Sequence, residues 1–116
     1  MSIQRYHVGP RLSEIVVHNN TAYLAGQVAE TTLGLDTKSQ TAEILGMIDR
    51  LLAEVGSDKT KILSAQIWLA DMADYDAMNE AWSAWVPQGY TPARATVESK
   101  LASLQYRVEI KIIAAL

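Results

Sequence analysis

The segment Tyr106–Ala115 constrains the fold most strongly, because apolar and charged residues alternate along it. Side chains of a β-strand point to opposite faces in turn, so this alternation predicts a strand with one buried and one polar face. The chain must therefore build a sheet whose buried face is covered by other elements. The apolar positions are Tyr106, Val108, Ile110 and Ile112, and the charged positions are Arg107, Glu109 and Lys111.

The first part of the chain predicts a β-hairpin over residues 13–28. The runs Ile15–Val17 and Tyr23–Ala25 flank the sequence HNNT, whose paired asparagines tolerate the positive φ of a tight turn. His18 is interpreted as a solvated residue of that turn. Further strands are expected at Ile3–Val8, Ile62–Leu69 and Ala93–Ser99.

Two helices are predicted between the strands. Asp36 is expected to cap the first, because a carboxylate there accepts the free N–H groups of the opening turn, and Gly56 is expected at its end. Asp74 is expected to cap the second, which Pro87 and Gly89 end. Apolar residues at helical spacing give each helix one stripe, interpreted as core. The first stripe contains Ile44, Leu45, Ile48, Leu51, Leu52 and Val55, and the second contains Met78, Trp82 and Trp85.

The element order β-β-β-α-β-α-β-β predicts an α+β fold, with residues 1–116 in a single domain and both helices packed on one face of a mixed sheet. The uncovered face is expected to carry Arg94, Thr96 and Glu109 among apolar neighbours. Such a face must meet water or another subunit. A closed ring of identical subunits would hide it and create charged clefts, whereas an open, solvated face is the common alternative.

Composition narrows the range of functions. The formal net charge of −3 argues against non-specific nucleic-acid binding, and the absence of cysteine removes disulfides and thiolate chemistry. The sequence shows no signal-peptide pattern and no apolar run of the ~20 residues needed to span a bilayer, so a cytoplasmic protein is expected. It also lacks P-loop, GxGxxG, HExxH and GxSxG motifs.

The remaining candidates for chemistry lie near the C-terminus. Arg94 directly follows a loop, and Glu109 lies on a later strand able to pair with the strand of Arg94. A partly buried arginine suits bidentate capture of a carboxylate, and a nearby glutamate can orient or deprotonate a water molecule. The same spacing also fits a purely structural ion pair between neighbouring strands. Residue spacing leaves both interpretations open.

Several motifs resemble the RidA (YjgF) family of reactive-intermediate or imine deaminases, in the family's order and over nearly the whole chain. The most specific is YTPARATV at 90–97, similar to the family's F-P-A-R-x-x-V, followed at the family's spacing by Val108–Ile110. Gly9-Pro10, AGQ at 25–27 and DYDAMN at 74–79 add to the likeness. The HNNT turn and the AW-x-AW helix are similar to the branch that contains the bacterial YoaB proteins.

The resemblance implies a chorismate-mutase-like fold and a homotrimer with clefts between its subunits. It also implies hydrolysis of 2-imino acids to 2-oxo acids and ammonia, without a metal or organic cofactor. Arg94 matches the family's carboxylate-binding arginine, and Glu109 matches the glutamate that positions the attacking water. Thr96 and Gly26 match positions whose backbone contacts ligand. Asn79 matches a recurrent asparagine of the second helix, which is either structural or at the margin of the site.

Two positions depart from the family pattern. Arg11 stands where tyrosine follows Gly-Pro, and Ala25 stands where serine precedes Gly-Gln. Ala25 lacks a hydroxyl that would bond substrate or water. Arg11 either reaches the cleft, where it favours an imine of a dicarboxylate, or lies in solvent. These departures keep a second function open, a non-catalytic binding protein or sensor for 2-oxo acids, whereas the acidic charge balance poorly supports a nuclease.

Overall fold

The structure is a computed structural model that describes residues 2–116. Its strands and helices follow the predicted order, and short 3₁₀ turns at Lys59–Lys61 and Met72–Asp74 connect them. The elements are β1 (Gln4–Val8), β2 (Ser13–His18), β3 (Thr21–Leu24), α1 (Thr37–Glu54), β4 (Ile62–Leu69), α2 (Tyr75–Trp85), β5 (Ala93–Glu98) and β6 (Val108–Ala115).

The strands form one six-stranded sheet in the order β1-β2-β3-β6-β4-β5. Every neighbouring pair is antiparallel except β4 and β5, which are parallel and are connected through α2. The prediction of a mixed sheet is confirmed. The last strand, β6, lies between β3 and β4, so β5 pairs with β4 and not with β6. The expectation that the strands of Arg94 and Glu109 pair directly is therefore wrong.

The predicted hairpin is present, with a turn at the two asparagines. Asn19 and Asn20 both adopt left-handed backbone, with φ of 49° and 61°. Asparagine tolerates this region better than other residues with side chains, which explains the sharp turn between β2 and β3. His18 is the last residue of β2, paired with Thr21, and its Nδ1 is buried without a hydrogen bond among residues 2–116. The interpretation of His18 as a solvated turn residue is wrong.

The first helix begins and ends as predicted. The Asp36 carboxylate accepts the Ser39 backbone N–H at 2.9 Å, and Gly56 follows the helix with a φ of 75°. The apolar stripe faces the sheet, which shows that burial sets the position of α1 more than capping does. Four of its members, Ile44, Leu45, Ile48 and Leu52, are fully buried, while Leu51 and Val55 pack at its margin.

The second helix begins after Asp74, but the Asp74 side chain does not cap it. A 3₁₀ turn precedes α2, and Asp71 caps that turn by accepting the Ala73 backbone N–H at 2.9 Å. The Asp74 carboxylate instead lies 3.5 Å from the Arg107 guanidinium. The predicted capping role of Asp74 is wrong, because the extra turn moves the first free N–H groups upstream.

Both helices cover the same face of the sheet, as predicted. Ile15, Leu24, Ile67 and Ile110 point from four strands into the core beneath α1 and α2. The opposite face has no helix on it and is partly apolar. The strand register places Val16, Tyr23, Ile113, Trp68 and Val97 there, and Tyr23 and Val97 are each 43% exposed.

The loop after β3 is held to α1 by one carboxylate. Glu43 accepts the backbone N–H groups of Glu30, Thr31 and Thr32 at 2.9–3.0 Å, and the Thr32 hydroxyl at 2.6 Å. Desolvation raises the pKa of Glu43, but the hydrogen bonds outweigh it and lower the pKa from 4.5 to about 2. The ionised form of Glu43 thus stabilises this loop.

Glu43→Gln is expected to destabilise the fold at pH 7 by about 1–2 kcal/mol, a figure reduced for the partial exposure of the group. Because the pKa of Glu43 is lower in the folded state, its stabilisation is present above pH 4.5 and is lost as the pH falls towards 2. Urea unfolding at several pH values measures the difference. Glu80→Gln, on the exposed face of α2, is the control; a Glu43→Gln penalty that is constant with pH contradicts the prediction.

Candidate functional site

Arg94 lies on β5, at the edge of the sheet, and points to the face covered by the helices. The parallel register sets Arg94 beside Ala65 and Thr96 beside Ile67, both of which are buried on the core side. Residues directly opposite in a ladder share a face. The expectation that Arg94 and Thr96 lie on the uncovered face is therefore wrong. The small residues of β5 alternate with Arg94 and Thr96 and so face the uncovered side of the sheet. They tolerate that side because an edge strand is only partly covered by α2.

Helix α2 supplies the partners of the Arg94 guanidinium. Its Nη1 donates to Asn79 Oδ1 at 2.8 Å, and its Nη2 donates to the Tyr75 hydroxyl at 3.1 Å. The guanidinium carbon also lies 5.3 Å from the Trp82 ring centroid and 5.8 Å from that of Tyr75, within cation–π range. These contacts fix the orientation of the cation without neutralising its charge.

No carboxylate pairs with Arg94 in residues 2–116, and both its hydrogen-bonded oxygen partners are neutral. A guanidinium has five N–H donors, so N–H groups remain available to a ligand. A half-buried, oriented and unneutralised arginine has the chemistry that binding a carboxylate requires. The ion pairs within residues 2–116 join His7 to Glu54, Lys38 to Glu80, and Arg107 to Asp74, and none includes Arg94.

Glu109 lies on the opposite face of the sheet from Arg94. Glu109 belongs to β6 and stands opposite Trp68 of β4, beside the loop that follows β3. The Glu109 carboxylate occupies the space beside Gly26, because a Cβ at residue 26 would overlap its Oε2 and displace it. The carboxylate therefore lies directly across the Gly26 backbone. Partial burial raises the pKa of Glu109 above its usual value of 4.5.

The other predicted site residues are divided between these two places. Ala25 adjoins Gly26 and donates its backbone N–H to Glu14 O at 2.9 Å. The Thr96 hydroxyl is buried without a hydrogen-bond partner among residues 2–116. Arg11 is exposed in the turn between β1 and β2, at the other edge of the sheet from Arg94. One chain thus brings Arg94, Thr96 and Asn79 together, and separately Ala25, Gly26 and Glu109.

The contacts of Tyr75 and Trp82 with Arg94 were not predicted from the sequence. The prediction of core positions for Met78 and Trp82 is confirmed, since they are 0% and 6% exposed, but Trp82 also faces Arg94. Tyr75, Asn79 and Trp82 recur at four- and three-residue intervals, which places a hydroxyl and an amide on the apolar stripe of α2. Polar groups on such a stripe are the signal that could have predicted a half-buried cationic partner.

The described residues hold no group of three or more His, Cys, Asp or Glu side chains placed to bind a metal ion. Within residues 2–116, no helix combines the length and apolarity that crossing a bilayer requires.

Comparison with known proteins decides the family. A sequence profile of the family described as Endoribonuclease L-PSP, to which the RidA and YjgF proteins belong, matches residues 3–116. The chain belongs to this family. Its resemblance to RidA proteins, inferred above from short motifs, is confirmed.

Several RidA-family relatives match over nearly their full length. A RutC family protein of Haemophilus influenzae is 55% identical, with 98% of each chain covered. The RutC family protein YoaB of Escherichia coli is 47% identical, with 99% of each chain covered. The crystal structure of a YjgF family member from Neisseria meningitidis has a TM-score of 0.96 at 50% identity, covering 99% of this chain and 95% of that one. The chloroplastic Reactive Intermediate Deaminase A of Arabidopsis thaliana is 30% identical, over 94% of this chain and 60% of that protein.

Glu109→Gln is expected to raise the melting temperature at pH 7. The raised pKa of Glu109 means that its ionisation is less favourable in the folded than in the unfolded chain, so this ionisation opposes folding at neutral pH. Gln does not ionise, and its advantage should shrink as the pH falls through the raised pKa of Glu109 and be lost below 4.5. Differential scanning calorimetry at pH 7 and pH 4 tests this, with Glu80→Gln as the control. A Glu109→Gln variant less stable than the wild type at pH 7 contradicts it.

Proposed function

We propose that this protein hydrolyses 2-imino acids to 2-oxo acids and ammonia, with Arg94 binding the substrate carboxylate. The observation that carries the proposal is the Arg94 guanidinium, held by Asn79 and Tyr75 and without a carboxylate partner in residues 2–116. A merely structural arginine in such a place is normally neutralised by an acid. Membership of a family that includes a protein named Reactive Intermediate Deaminase A supports the reaction class.

The proposed active site is completed between copies of the chain. Arg94 and Glu109 lie on opposite faces of the sheet, so one chain cannot direct both at one small molecule. Arg94 stands at the sheet edge, and Glu109 lies on the uncovered face with exposed Tyr23 and Val97. A homotrimer would bury that apolar face and bring Arg94 of one copy to Glu109 of the next.

The chemistry needs few groups, because a protonated imine carbon is already electrophilic. Arg94 fixes the carboxylate, and Glu109 accepts a proton as the water oxygen bonds to the imine carbon. The C=N electron pair passes to nitrogen, which then takes the proton back from Glu109 and becomes an ammonium group. The carbinolamine oxygen forms the C=O bond as the C–N bond breaks, and its hydroxyl proton passes to the departing ammonia, which leaves as ammonium. The net reaction consumes one water, and Glu109 returns to its starting state.

The protein environment suits Glu109 to this role. Desolvation raises the pKa of Glu109, which makes its carboxylate a stronger base than that of an ordinary glutamate. Its position across Gly26 exposes it on the face that a second copy would cover. The backbone at Thr96, Ala25 and Gly26 is the proposed neighbour of the substrate. Arg11 is exposed and contributes a second cation, suited to a dicarboxylate, only where another copy approaches it.

Two other functions can be distinguished from imino-acid hydrolysis. The family description names an endoribonuclease, but 13 acidic against 10 basic residues give no general attraction to RNA. A non-catalytic 2-oxo acid binder is suggested by Ala25, which lacks the hydroxyl of serine. Saturable binding of 2-oxo acids, with imino-acid hydrolysis no faster than in buffer, would establish that alternative in place of the enzyme.

Arg94→Ala is expected to lower kcat/KM for imino-acid hydrolysis by roughly 100-fold or more, since the only fixed contact to the carboxylate is lost. Arg94→Lys should restore little, because an ammonium lacks the planar fork. The assay generates the imino acid with an amino-acid oxidase and follows release of the oxo acid. Arg5→Ala, at an exposed arginine on β1, is the matched control. Unchanged activity in Arg94→Ala refutes the anchoring role.

Mixing two inactive variants tests whether the site is shared between subunits. Arg94→Ala and Glu109→Gln should each be inactive alone. When they are unfolded together and refolded at equal amounts, about one-quarter of the sites in a ring would pair an intact Arg94 with an intact Glu109 from the neighbouring copy. Roughly one-quarter of wild-type activity is therefore expected. No recovery, with mixed assemblies verified by mass spectrometry, places both residues in one subunit and overturns the shared site.

A further inference from the structure

A cavity lies at the far edge of the sheet from the edge that carries Arg94. It has a volume of about 260 Å³ and is bounded by β1, β2, the loop after β3, and the C-terminal half of α1. Arg94 is on β5, and the strand order puts β5 and β1 at the two ends of the sheet. The cavity is therefore separate from the Arg94 cluster within the chain. Its lining residues are His7, Glu14, Gln27, Glu30, Met47, Arg50, Leu51 and Glu54.

The α1 side of the cavity carries both charge and apolar surface. Met47, Arg50, Leu51 and Glu54 follow each other at helical spacing and so share one face of α1. Among residues 2–116, Arg50 forms no ion pair or side-chain hydrogen bond, unlike Glu54, which lies 2.6 Å from His7. Met47 and Leu51 supply an apolar wall. The guanidinium is thus available to an anionic group inside the cavity.

The opposite wall is acidic. Glu14 and Glu30 both line the cavity, and neither forms an ion pair with another group in the described part of the chain. Together with Glu54 they give three carboxylates against the Arg50 guanidinium and, at most, one protonated His7. The cavity is net negative in either state of His7, so it favours a ligand with more positive than negative charge.

A buried amide gives the cavity a specific polar contact. Gln27 is only 2% exposed, and its Nε2 donates to Ala25 O at 3.0 Å and approaches Glu14 Oε2 at 3.5 Å. These bonds orient the amide at the cavity wall. Its Oε1 is not one of the buried atoms that lack a partner, so it keeps some contact with the open space of the cavity. An ammonium group carries N–H donors that such an oxygen can accept.

We propose that this cavity binds a basic α-amino acid, such as lysine or ornithine. Arg50 binds the α-carboxylate, Glu14 and Glu30 bind the ammonium groups, and Met47 and Leu51 contact the methylene chain. The net positive charge of such a ligand complements the acidic cavity. The volume lies just below the range typical of drug-sized ligands, which suits a single amino acid. This site does not depend on the hydrolytic function proposed for Arg94.

Isothermal titration calorimetry of the full-length protein with L-lysine tests the site. Saturable binding is expected, weakened at least tenfold by Glu30→Gln and by Arg50→Met. Norleucine, which lacks the side-chain cation, and cadaverine, which lacks the carboxylate, should each bind at least tenfold more weakly than lysine. Arg5→Met and Glu80→Gln, outside the cavity, are the matched controls and should bind as the wild type does.

Two further measurements separate this proposal from the hydrolytic one. Arg94→Ala should bind lysine normally, while Glu30→Gln and Arg50→Met should hydrolyse imino acids at the wild-type rate. The amino-acid site is overturned by lack of saturation with lysine and ornithine at 10 mM, about a hundredfold above a Kd of about 0.1 mM. It is also overturned by equal binding of cadaverine and lysine, or by unchanged binding in both cavity variants.

Discussion

Burial of one sheet face under α1 and α2 is the constraint that sets the direction in which each strand residue points. The core residues of β2, β3, β4 and β6 must face the helices, because each large apolar side chain moved into water costs about 1.5–3 kcal/mol. Since alternate residues point the opposite way, the same requirement sends Glu109 to the uncovered face. The position of the carboxylate is therefore a direct result of the hydrophobic core.

Arg94 is an exception to that pattern that the fold accommodates. A cation on the core side of a sheet is normally unfavourable. Here it lies on an edge strand, where α2 provides a hydroxyl, an amide and two aromatic rings in place of a carboxylate. The arrangement keeps the guanidinium charged and correctly oriented, as a receptor for an anion requires. Its partners are neutral, so an incoming carboxylate does not have to displace an ion pair.

Much of the fold was predictable because its periodic signals are strong. The alternation in β6, the stripe in α1 and the paired asparagines each depend on neighbouring residues, and the structure confirms all three. The strand order was not predictable from such local patterns, because the insertion of β6 between β3 and β4 depends on long-range packing. For the same reason the two faces of β5 were predicted the wrong way round. Its small residues look apolar and were expected on the core side, but an edge strand buries little of either face.

The candidate site was predictable in its residues but not in its geometry. The family motif indicated Arg94 and Glu109, yet only the sheet register shows that they lie on opposite faces of one chain. Gly26 was expected to offer backbone contacts, whereas the structure adds that its missing side chain makes room for the Glu109 carboxylate. Such a steric requirement involves residues distant in sequence, and no local pattern reveals it.

The parallel crossover from β4 through α2 to β5 has an evolutionary consequence. Tyr75, Asn79, Trp82 and Arg94 all belong to this one continuous stretch, whereas Ala25, Gly26 and Glu109 come from other parts of the chain. Mutations that alter the surroundings of the carboxylate therefore leave the arginine clamp intact. The surroundings of the Arg94 guanidinium and those of the Glu109 carboxylate can therefore vary independently, since they are encoded on separate segments.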